Sequence, residues 1–185
     1  MLWLTPAQGN QAGSVFATNG IVFNRKYIFS TFFQFKMTDP GPEGASDGMT
    51  FTLQTEAPSA LGADGGSLGY VGITPSVAVE FDTWLNAGVD FNDNHVGILT
   101  GGQFIEIDPQ TPYGVTNCQP TGAFGCMSNG DIWSVWIDYD GTNLNVAIAD
   151  DSTTRPVNIS SYPIARSSRA ELRLCRIYGQ YWRWL

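Results

Sequence analysis

Short stretches in which apolar and polar residues alternate recur along the chain and are separated by turn-forming residues. One of them, Val77 to Thr83, reads Val-Ala-Val-Glu-Phe-Asp-Thr, and its β-branched and aromatic residues predict a strand. A loop rich in Asn, Gly and Asp follows, and a second strand is predicted to start at His95. The same patterns predict further strands at residues 14–17, 20–24, 27–37, 49–54, 103–107, 133–139 and 144–149. Many short strands of this kind indicate an all-β sandwich.

Length and composition agree with a β-sandwich of one domain. The chain has 185 residues, which is enough for one substantial core, and its 21 Gly and 10 Pro suit short strands joined by turns. No stretch stays apolar for the roughly 18 residues that a membrane-spanning helix needs. The opening Met1-Leu-Trp-Leu-Thr run is too short and too quickly polar for a signal peptide, so we expect any export signal to lie outside this chain.

Charge is distributed unevenly along the chain. The net charge is −8, but residues 1–154 carry a net −13, whereas residues 155–185 carry a net +5 and have only arginines as basic residues. An acidic body repels a phosphate backbone, which argues against nucleic acid as a partner. Acidity suits cation binding, although on its own it is explained as readily by solubility.

Two carboxylates on the strand that starts at Val77 suggest a metal site. Side chains two positions apart on a strand point to the same face, so Glu80 and Asp82 are expected side by side, with Cα atoms roughly 7 Å apart. Buried like charges are unfavourable unless a cation or a hydrogen-bond donor meets them. The following loop adds Asn86, Asp90 and His95 near the same strand end. We therefore predict a metal site at this end of the strand.

The candidate ligands sort by chemistry into two overlapping sets. Calcium prefers six to eight oxygen ligands, and the oxygen set comprises Asp82, the backbone carbonyl of Trp84, Asn86 and Asp90. A transition ion such as manganese accepts carboxylates together with an imidazole, and that set comprises Glu80, Asp82, Asp90 and His95. Asp82 and Asp90 belong to both sets. They would bridge two ions at the roughly 4 Å spacing that is usual for two-metal sites.

Simpler interpretations of the same loop stay open or fail on particular residues. A loop rich in Asp and Asn is often only a solvated turn. Asp90, Asn92 and Asn94 also resemble the first three oxygen ligands of an EF-hand loop. However, position six of that loop would be His95 instead of Gly, and position twelve would be Gly101 instead of Glu. The EF-hand interpretation is therefore excluded.

The run from Val77 to Thr83, followed by Asn86, Asp90 and the His95-Val-Gly-Ile segment, resembles the metal-binding signature of the legume-type (L-type) lectins. The resemblance implies a concanavalin A-like jelly-roll β-sandwich of two antiparallel sheets that holds one calcium and one manganese, or another transition ion, beside a shallow sugar site. It implies calcium-dependent glycan binding without catalysis, in an extracellular or cell-surface location. It also permits a homodimer formed through the back sheet.

Two further segments resemble parts of the sugar site of this family. Ser46-Asp47-Gly48 resembles an Ala-Asp-Gly segment in which a cis peptide bond aims the aspartate into the site, although Asp-Gly is also an ordinary turn. The run from Gly65 to Tyr70 resembles the glycine-rich loop, whose Gly66 would offer its N–H to a sugar hydroxyl. The implied sugar contacts are Asp47, Gly66, Trp84 and Asn86, with Trp84 stacking on the ring and Asn86 also binding calcium.

The resemblance covers residues 4–164 and points to a bacterial branch of the family. Residues 1–164 are therefore expected to form the lectin-like domain, without the usual first and last strands. Residues 165–185 form an atypical, Arg-rich segment. Ser168 and Glu171 there fit the cap of a short helix, whereas Glu171 to Leu174 alternates like a strand, and both alternatives stay open.

Three cysteines leave the redox state open. Cys118 and Cys126 bracket a short loop that contains Pro and Gly. A disulfide in an oxidising compartment and two reduced thiols both fit this spacing. Cys175 has no evident partner, and no zinc-binding spacing is present.

Two rival functions remain beside the lectin hypothesis. Some glycoside hydrolases on similar jelly rolls carry Glu-x-Asp-x-Glu on one strand, but here Trp84 stands where the second glutamate is required. Retaining hydrolysis needs two carboxyl groups about 5 Å apart, and a metal would instead neutralise Glu80 and Asp82. The second rival is a structural or adhesion module with a vestigial sugar site, which would bind calcium but no glycan.

Overall fold

A computed structural model of the chain describes residues 2–6, 8–17, 20, 28–38, 44–119 and 123–164, together with the backbone of residues 173–174, 178–179 and 182–183. This part of the chain contains short β-strands and two 3₁₀ turns, at Gly65–Ser67 and Pro112–Gly114. The strands are β1 (Trp3–Thr5), β2 (Phe29–Lys36), β3 (Gly48–Gln54), β4 (Ser76–Asp82), β5 (His95–Thr100), β6 (Ile107–Gln110), β7 (Ile132–Tyr139), β8 (Asn143–Asp150), β9 (Ser160–Pro163), β10 (Arg173–Leu174), β11 (Tyr178–Gly179) and β12 (Trp182–Arg183).

The strands form two antiparallel sheets. The back sheet has the order β1-β12-β2-β7-β8-β9, and the front sheet has the order β10-β3-β4-β5-β6, with β11 also paired to β3. Consecutive strands form half of the pairs, and the others join strands far apart in sequence, as in the pairing of β2 with β7, where Phe32 lies opposite Trp136. The predicted all-β sandwich of two antiparallel sheets is confirmed.

The core lies between the sheets and follows from the alternation along each strand. On β4, Val77, Val79 and Phe81 pack into the main apolar cluster with residues of the back sheet such as Trp133. Side chains of a strand alternate between its two faces, so Glu80 and its neighbours at even positions lie on the outer face of the front sheet. That outer face is also covered, because every residue of β4 is buried. The two faces of β4 therefore provide a hydrophobic core on one side and an enclosed polar site on the other.

Predicted and observed strands differ at residues 14–17, where the structure has no strand, and around β6. The alternating pattern predicted a strand at residues 103–107, but the observed strand is Ile107–Gln110. The chain first turns at Gly101 and Gly102, which both have positive φ angles, of 66° and 67°. This turn is held by a hydrogen bond from the Gly101 N–H to the carbonyl oxygen of Ser76. Pairing with β5 can therefore start only after the chain has left the turn.

The ends of the chain contribute short strands to both sheets. The three-residue β1 lies at an edge of the back sheet, where no first strand was expected, and it pairs with β12. The backbone of Arg173–Leu174 forms β10 and pairs with β3, as the strand alternative for this segment predicted. Ser168 and Glu171, which entered the helix alternative, lie outside the described residues, as do residues 21–24 of the strand predicted at 20–24. In the described part of the chain, no helix has the length and apolarity needed to cross a bilayer.

Candidate metal centre

Two neighbouring strands of the front sheet place the predicted metal ligands together. Glu80 and Asp82 lie on the same face of β4, and both residues have no exposed surface. The register between β4 and β5 sets Asp82 opposite His95 and Glu80 opposite Gly97. The sheet thus brings the imidazole beside the two carboxylates.

Gly97 leaves room for the Glu80 carboxylate. A Cβ atom at position 97 would overlap Oε1 of Glu80. The neighbours Val96 and Ile98 have large side chains, but these point into the apolar core. A glycine at this position is therefore explained by the space that the carboxylate needs, since the backbone of Gly97 has no positive φ angle.

The site contains buried ligand atoms that have no hydrogen-bond partner. Among the described residues these atoms include Oε1 and Oε2 of Glu80, Oδ2 of Asp82, Oδ1 of Asn86, Oδ1 of Asp90 and Nε2 of His95. An unsatisfied buried polar group costs about 1–3 kcal/mol, and more when it is charged. A bound cation would provide the missing partner for each of these atoms. The donor set therefore fits the two-ion site that the sequence predicts.

In two of these carboxylates, the second oxygen accepts a hydrogen bond from a backbone N–H group. Oδ1 of Asp82 accepts a hydrogen bond of 2.7 Å from the Trp84 N–H. Oδ2 of Asp90 accepts a hydrogen bond from the Asn86 N–H. The carbonyl oxygen of Asn86 in turn accepts from the N–H groups of Val89 and Asp90, at 2.9 and 3.1 Å. This tight turn returns Asp90 to the strand end and leaves one free oxygen on each carboxylate.

Burial changes the pKa values of the acidic groups. It is the main reason why the pKa values of Glu80 and Asp82 are raised well above their ordinary range, and repulsion from neighbouring carboxylates adds to this effect. The pKa of Asp90 is also raised by burial. In the absence of a cation, burial therefore favours the protonated form of these carboxyl groups.

The hydrogen bond of His95 determines which ring nitrogen is free. Nδ1 of His95 lies 2.8 Å from the carbonyl oxygen of Asn92. Because a carbonyl can only accept, Nδ1 carries the proton and Nε2 presents a lone pair. Burial lowers the pKa of His95 to about 4, which keeps the ring neutral near pH 7. This arrangement is typical of a metal-binding histidine.

The structure adds Glu106, which the sequence analysis missed. Glu80, His95 and Glu106 each offer one ligand atom, and these atoms all lie within 4.8 Å of one another. Asp82 and Asp90, which were predicted to share this ion, do not belong to that group. Glu106 precedes β6 and was included only in a predicted strand. The one feature of the sequence that could have indicated Glu106 is that it is an acidic residue between two isoleucines.

The residues predicted to contact sugar lie on loops around the end of β4. The peptide bond between Ser46 and Asp47 is cis, as the resemblance predicted. The carbonyl oxygen of Asp47 accepts hydrogen bonds from the N–H and Oγ1 of Thr83, at 2.9 and 3.2 Å. Burial raises the pKa of the Asp47 carboxyl, and the charges of Asp90 and Asp64 raise it further. Asp47 therefore lies close enough to Asp90 for the two charges to interact.

Gly66 and Trp84 are further residues that were predicted to contact sugar. A Cβ atom at Gly66 would lie 2.7 Å from the side-chain amide of Asn86, so the loop that carries Gly66 directly contacts the loop that carries Asn86. Trp84 is partly buried, and its Cζ3 atom lies 3.6 Å from the position of a Cβ atom on Gly44. The loops that carry Asp47, Gly66 and Asn86 thus meet at one end of the front sheet.

A disulfide-bonded loop supports this end of the sheet. Cys118 and Cys126 form a disulfide with a Cα–Cα distance of 5.6 Å, which decides between the two alternatives that the sequence left open. The carboxylate of Asp93 accepts hydrogen bonds from the N–H groups of Cys118 and Gln119, at 2.9 and 3.0 Å. Nε2 of Gln119 donates to the carbonyl oxygens of Ala45 and Thr83, at 2.9 and 2.8 Å. The sequence held no signal for this role of Gln119.

Comparisons with known proteins point to one family. The sequence model of the legume lectin domain family matches residues 1–168. The L-type lectin-domain containing receptor kinase VIII.1 of Arabidopsis thaliana is 31% identical over 171 residues, which cover 89% of this chain and 21% of the kinase. Receptor kinase I.7 of the same type and organism is 31% identical over 183 residues, covering 93% of this chain and 26% of the kinase. The chain therefore spans only about a fifth to a quarter of these relatives.

Solved structures show the same fold. The metal-free form of lectin I-B4 from Griffonia simplicifolia has a TM-score of 0.69 at 20% identity, covering 97% of this chain and 79% of that chain. The exoplasmic/lumenal domain of VIP36 in its Ca²⁺/Man-bound form has a TM-score of 0.68 at 14% identity, covering 96% of this chain and 70% of that chain. The predicted jelly-roll sandwich is thereby confirmed.

Two finer expectations find no support in these comparisons. The curated relatives named above are plant proteins, whereas the sequence resemblance pointed to a bacterial branch. A departure from the family after residue 164 was also expected. However, the family match continues to residue 168, and the alignment with receptor kinase I.7 extends over 183 residues.

Proposed function

Because the chain belongs to the legume lectin domain family, we propose that it binds carbohydrate in a calcium-dependent manner and without catalysis. The observation that carries this proposal is the set of buried ligand atoms without hydrogen-bond partners at the end of β4. This set lies next to the loop that presents Asp47, whose charge is felt by the same carboxylates. The metal ligands and the sugar contacts would therefore work as one unit.

Calcium and a transition ion such as manganese would occupy two adjoining positions. The proposed calcium ligands are Asp82, the Trp84 carbonyl, Asn86 and Asp90, and the proposed transition-ion ligands are Glu80, Asp82, Asp90 and His95. The free oxygens of Asp82, Asn86 and Asp90 support the first set, and the free Nε2 of His95 supports the second. The bound cations would provide positive charge that holds these side chains in place. They need not touch the sugar.

The sugar would be recognised by fixed polar groups and one aromatic platform. A sugar presents hydroxyl groups at its edge and weakly apolar C–H groups on its faces. Asp47 would accept hydrogen bonds from two hydroxyl groups, and the Gly66 N–H and the Asn86 NH₂ group would donate. Trp84 would stack on the ring face. With its carbonyl oxygen held by calcium, Asn86 keeps its NH₂ group directed at the ligand, which lowers the entropic cost of binding.

Burial of the two strand carboxylates argues against glycoside hydrolysis. A glycosidase needs carboxyl groups that reach the scissile bond from the substrate cleft. Glu80 and Asp82 have no exposed surface, so neither can contact a polysaccharide. We therefore propose that the chain has no hydrolase activity.

The relatives of the chain and its disulfide suggest its location and its partners. Two of the relatives are receptor kinases named for an L-type lectin domain. The disulfide between Cys118 and Cys126 is of a kind that persists in oxidising compartments. We therefore propose an extracellular or cell-surface location and glycans as the partners. The homodimer through the back sheet stays a prediction, as does the boundary between residues 1–164 and the Arg-rich segment.

A glycan array probed with and without calcium tests the proposal. We expect binding to at least one class of glycan in calcium, loss of binding in EDTA, and recovery when calcium and manganese are restored. Calcium binding measured by calorimetry without binding to any glycan would instead favour a module with a vestigial sugar site. Glycan binding that persists in EDTA would contradict the calcium dependence.

A further inference from the structure

The side chain of Glu106 is turned away from solvent, although its sequence neighbour Ile105 faces solvent. The Glu106 side chain is 7% exposed, whereas Ile105 is 60% exposed. Ile107, on the other side, packs against the main apolar cluster. Usually isoleucine is buried and glutamate is exposed, and glutamate is rarely buried without a partner. A partner for Glu106 is therefore required.

The neighbours of Glu106 provide only weak partners. Oε1 of Glu106 lies 3.4 Å from Nε2 of His95 and accepts a long hydrogen bond of 3.3 Å from the Phe91 N–H. The Glu106 carboxyl also meets the carboxyl of Asp90, a second acidic group that can bond to it only by sharing a proton. Nε2 of His95 presents a lone pair, because Nδ1 donates to the carbonyl oxygen of Asn92. Two acceptor atoms thus face each other. No lysine or arginine of the described residues forms an ion pair with Glu106.

The spacing of the acceptor atoms suits one shared ion. Ligands on opposite sides of an ion with bonds of about 2.1–2.3 Å lie about 4.2–4.6 Å apart, and adjacent ligands lie about 3 Å apart. The ligand atoms of Glu80, His95 and Glu106 all lie within 4.8 Å of one another, and the pair formed by His95 and Glu106 is 3.4 Å apart. A small closing movement would bring all three into contact with one ion.

The orphaned atoms of the neighbouring residues point to the same position. Both oxygens of Glu80 and Nε2 of His95 are fully buried and lack hydrogen-bond partners. Gly97, which lies opposite Glu80 in the register, keeps the space beside the Glu80 carboxylate free of a side chain. The two strands and the segment before β6 therefore converge on one enclosed position.

We propose that Glu106 is a direct ligand of the transition ion, which rests on the proposed two-ion site but adds a ligand that the sequence resemblance does not include. With Glu106, the ligands Glu80, Asp82, Asp90 and Glu106 carry four negative charges. Two divalent cations carry four positive charges, so the buried site is neutral. Without Glu106 it would keep one uncompensated positive charge in a low-dielectric environment.

Direct coordination by Glu106 has two consequences. First, the carboxylate occupies a coordination position that water would otherwise fill, so that the bound ion exchanges fewer water molecules. Second, the ligand set of an imidazole and several carboxylates suits manganese and related transition ions better than calcium. Loss of Glu106 should therefore affect the transition ion more than the calcium ion.

The test compares Glu106→Gln, Glu106→Asp and the parent chain in manganese binding. Electron paramagnetic resonance of free Mn²⁺ gives the affinity, and water-proton relaxation gives the number of water molecules on the bound ion. We expect Glu106→Gln to bind Mn²⁺ at least about tenfold more weakly, because changes even in groups that only support metal ligands cost about 10–100-fold. We also expect relaxation per bound Mn²⁺ to rise, and Ca²⁺ affinity to fall less.

Controls separate ligation from charge and from folding. Glu56→Gln makes the same chemical change at an exposed glutamate outside the cluster and should leave Mn²⁺ affinity unchanged. Glu106→Asp keeps the charge but shortens the side chain, so it should also lose affinity if contact is direct. Melting temperatures in EDTA show whether each variant is folded. Unchanged Mn²⁺ affinity in Glu106→Gln, or full affinity in Glu106→Asp, would overturn the assignment.

The outcomes also distinguish this assignment from the proposed function. A parent chain that binds Mn²⁺ and glycan normally, with no effect of Glu106→Gln on Mn²⁺, would overturn only the role of Glu106. A parent chain that binds no Mn²⁺ would overturn this role together with the transition-ion part of the proposed function. Glycan binding in calcium alone would then still stand as a separate result.

Discussion

Asp47 and Asp82 lie close together at the corner where β3 and β4 meet, yet their partners suggest different roles. Asp82 has no exposed surface, and its buried Oδ2 has no hydrogen-bond partner. Asp47 is only partly buried and lies on the loop before β3. This difference supports the proposal that Asp82 binds the cations and Asp47 binds the sugar.

Substitution of these two aspartates should separate metal binding from sugar binding. We expect Asp82→Ala to lose calcium and glycan binding together, because the site then lacks a ligand of both ions. Asp47→Ala should bind glycan at least about a hundredfold more weakly, since two hydrogen bonds to a charged group are worth about 3–6 kcal/mol. Its calcium affinity should stay within about twofold, since one carboxylate near an ion but not bound to it adds little. Calorimetry with both ligands measures this, and loss of calcium binding in Asp47→Ala would refute the division.

Two glycines offer a matched test of the site, because neither needs a positive φ angle. In Gly97→Ala the new methyl group would overlap Oε1 of Glu80. In Gly66→Ala it would lie 2.7 Å from the Asn86 amide. The two substitutions thus add the same group beside two different candidate ligands, Glu80 and Asn86.

We expect Gly97→Ala to weaken Mn²⁺ binding and Gly66→Ala to weaken glycan binding, each by at least about tenfold. The reason is that each methyl group displaces one ligand side chain by more than the tolerance of about 0.5 Å that a functional site allows. Mn²⁺ resonance and glycan calorimetry on both variants measure the two effects. Equal losses of both ligands in both variants would mean that the substitutions disturb the fold and not single ligands.

How much of the site is predictable from sequence depends on distance along the chain. Glu80, Asp82, Asn86, Asp90 and His95 lie within one strand, one loop and the start of the next strand. Their convergence follows from the period of a strand and the direction of a hairpin. Glu106, in contrast, lies in the segment before β6. Its position depends on a turn and on the pairing of β6 with β5, which local patterns do not specify. A candidate ligand of that kind can be identified only from the structure.

At the scale of the elements, the hairpin of β7 and β8 turns at Asp140. The Asp140 carboxylate accepts hydrogen bonds from the N–H groups of Thr142 and Asn143, at 2.8 and 2.7 Å. These N–H groups are the main cause that lowers the pKa of Asp140 to about 2. A lowered pKa in the folded state stabilises the protein above the ordinary pKa of aspartate, and this stabilisation is lost as the pH falls towards 2.

Asp140→Ala should therefore lower the melting temperature at about pH 6 and much less at about pH 2. The effect should be modest, because the residue is exposed and solvent weakens its interactions. Thermal unfolding of both proteins in EDTA at each pH isolates the turn from the metal site. A difference between the proteins that is the same at both pH values would show that the charge of Asp140 has no part in the hairpin.

Strand positions were predicted well where a strand has one apolar face. The predictions for β3, β7 and β8 agree with the structure to within one residue at each end, because their alternating residues pack into the core. The prediction failed at β6, where the Gly101 and Gly102 turn interrupts an otherwise strand-like pattern. The alternation of apolar and polar side chains predicts a strand there, whereas the positive φ angles of the two glycines turn the backbone. The two signals therefore predict different structures at this point of the chain.

At the scale of the whole molecule, the class of the fold was predictable and its strand order was not. Short alternating segments and many glycines indicate a sandwich. The order of the back sheet, in contrast, joins β2 to β7 across a long separation in sequence. Local patterns carry no information on such pairings, and only the resemblance to a known family supplied the expected jelly roll.

The acidic groups of the site should make the stability of the metal-free protein depend on pH. Burial raises the pKa values of Glu80 and Asp82 well above their ordinary range, and burial together with the charge of Asp90 raises that of Glu106 to about 7. Between about pH 4 and pH 7 the folded protein therefore binds more protons than the unfolded chain, so its free energy of unfolding falls as the pH rises. His95 acts in the opposite direction, because burial lowers its pKa to about 4, but it is a single group.

Bound cations should remove this dependence, because they replace the protons that the carboxylates otherwise require. We expect the melting temperature in EDTA to be lower at about pH 7.5 than at about pH 5, and the gain from added calcium and manganese to be larger at the higher pH. A ligand at a hundred times its dissociation constant stabilises a protein by about 2.7 kcal/mol, which is readily measured. The variant Glu80→Gln, which removes one of the buried charges, should show a weaker decline in EDTA. A melting temperature in EDTA that rises between these pH values would mean that the carboxylates are ionised and otherwise compensated, and the fit of this site to two divalent cations would lose its main support.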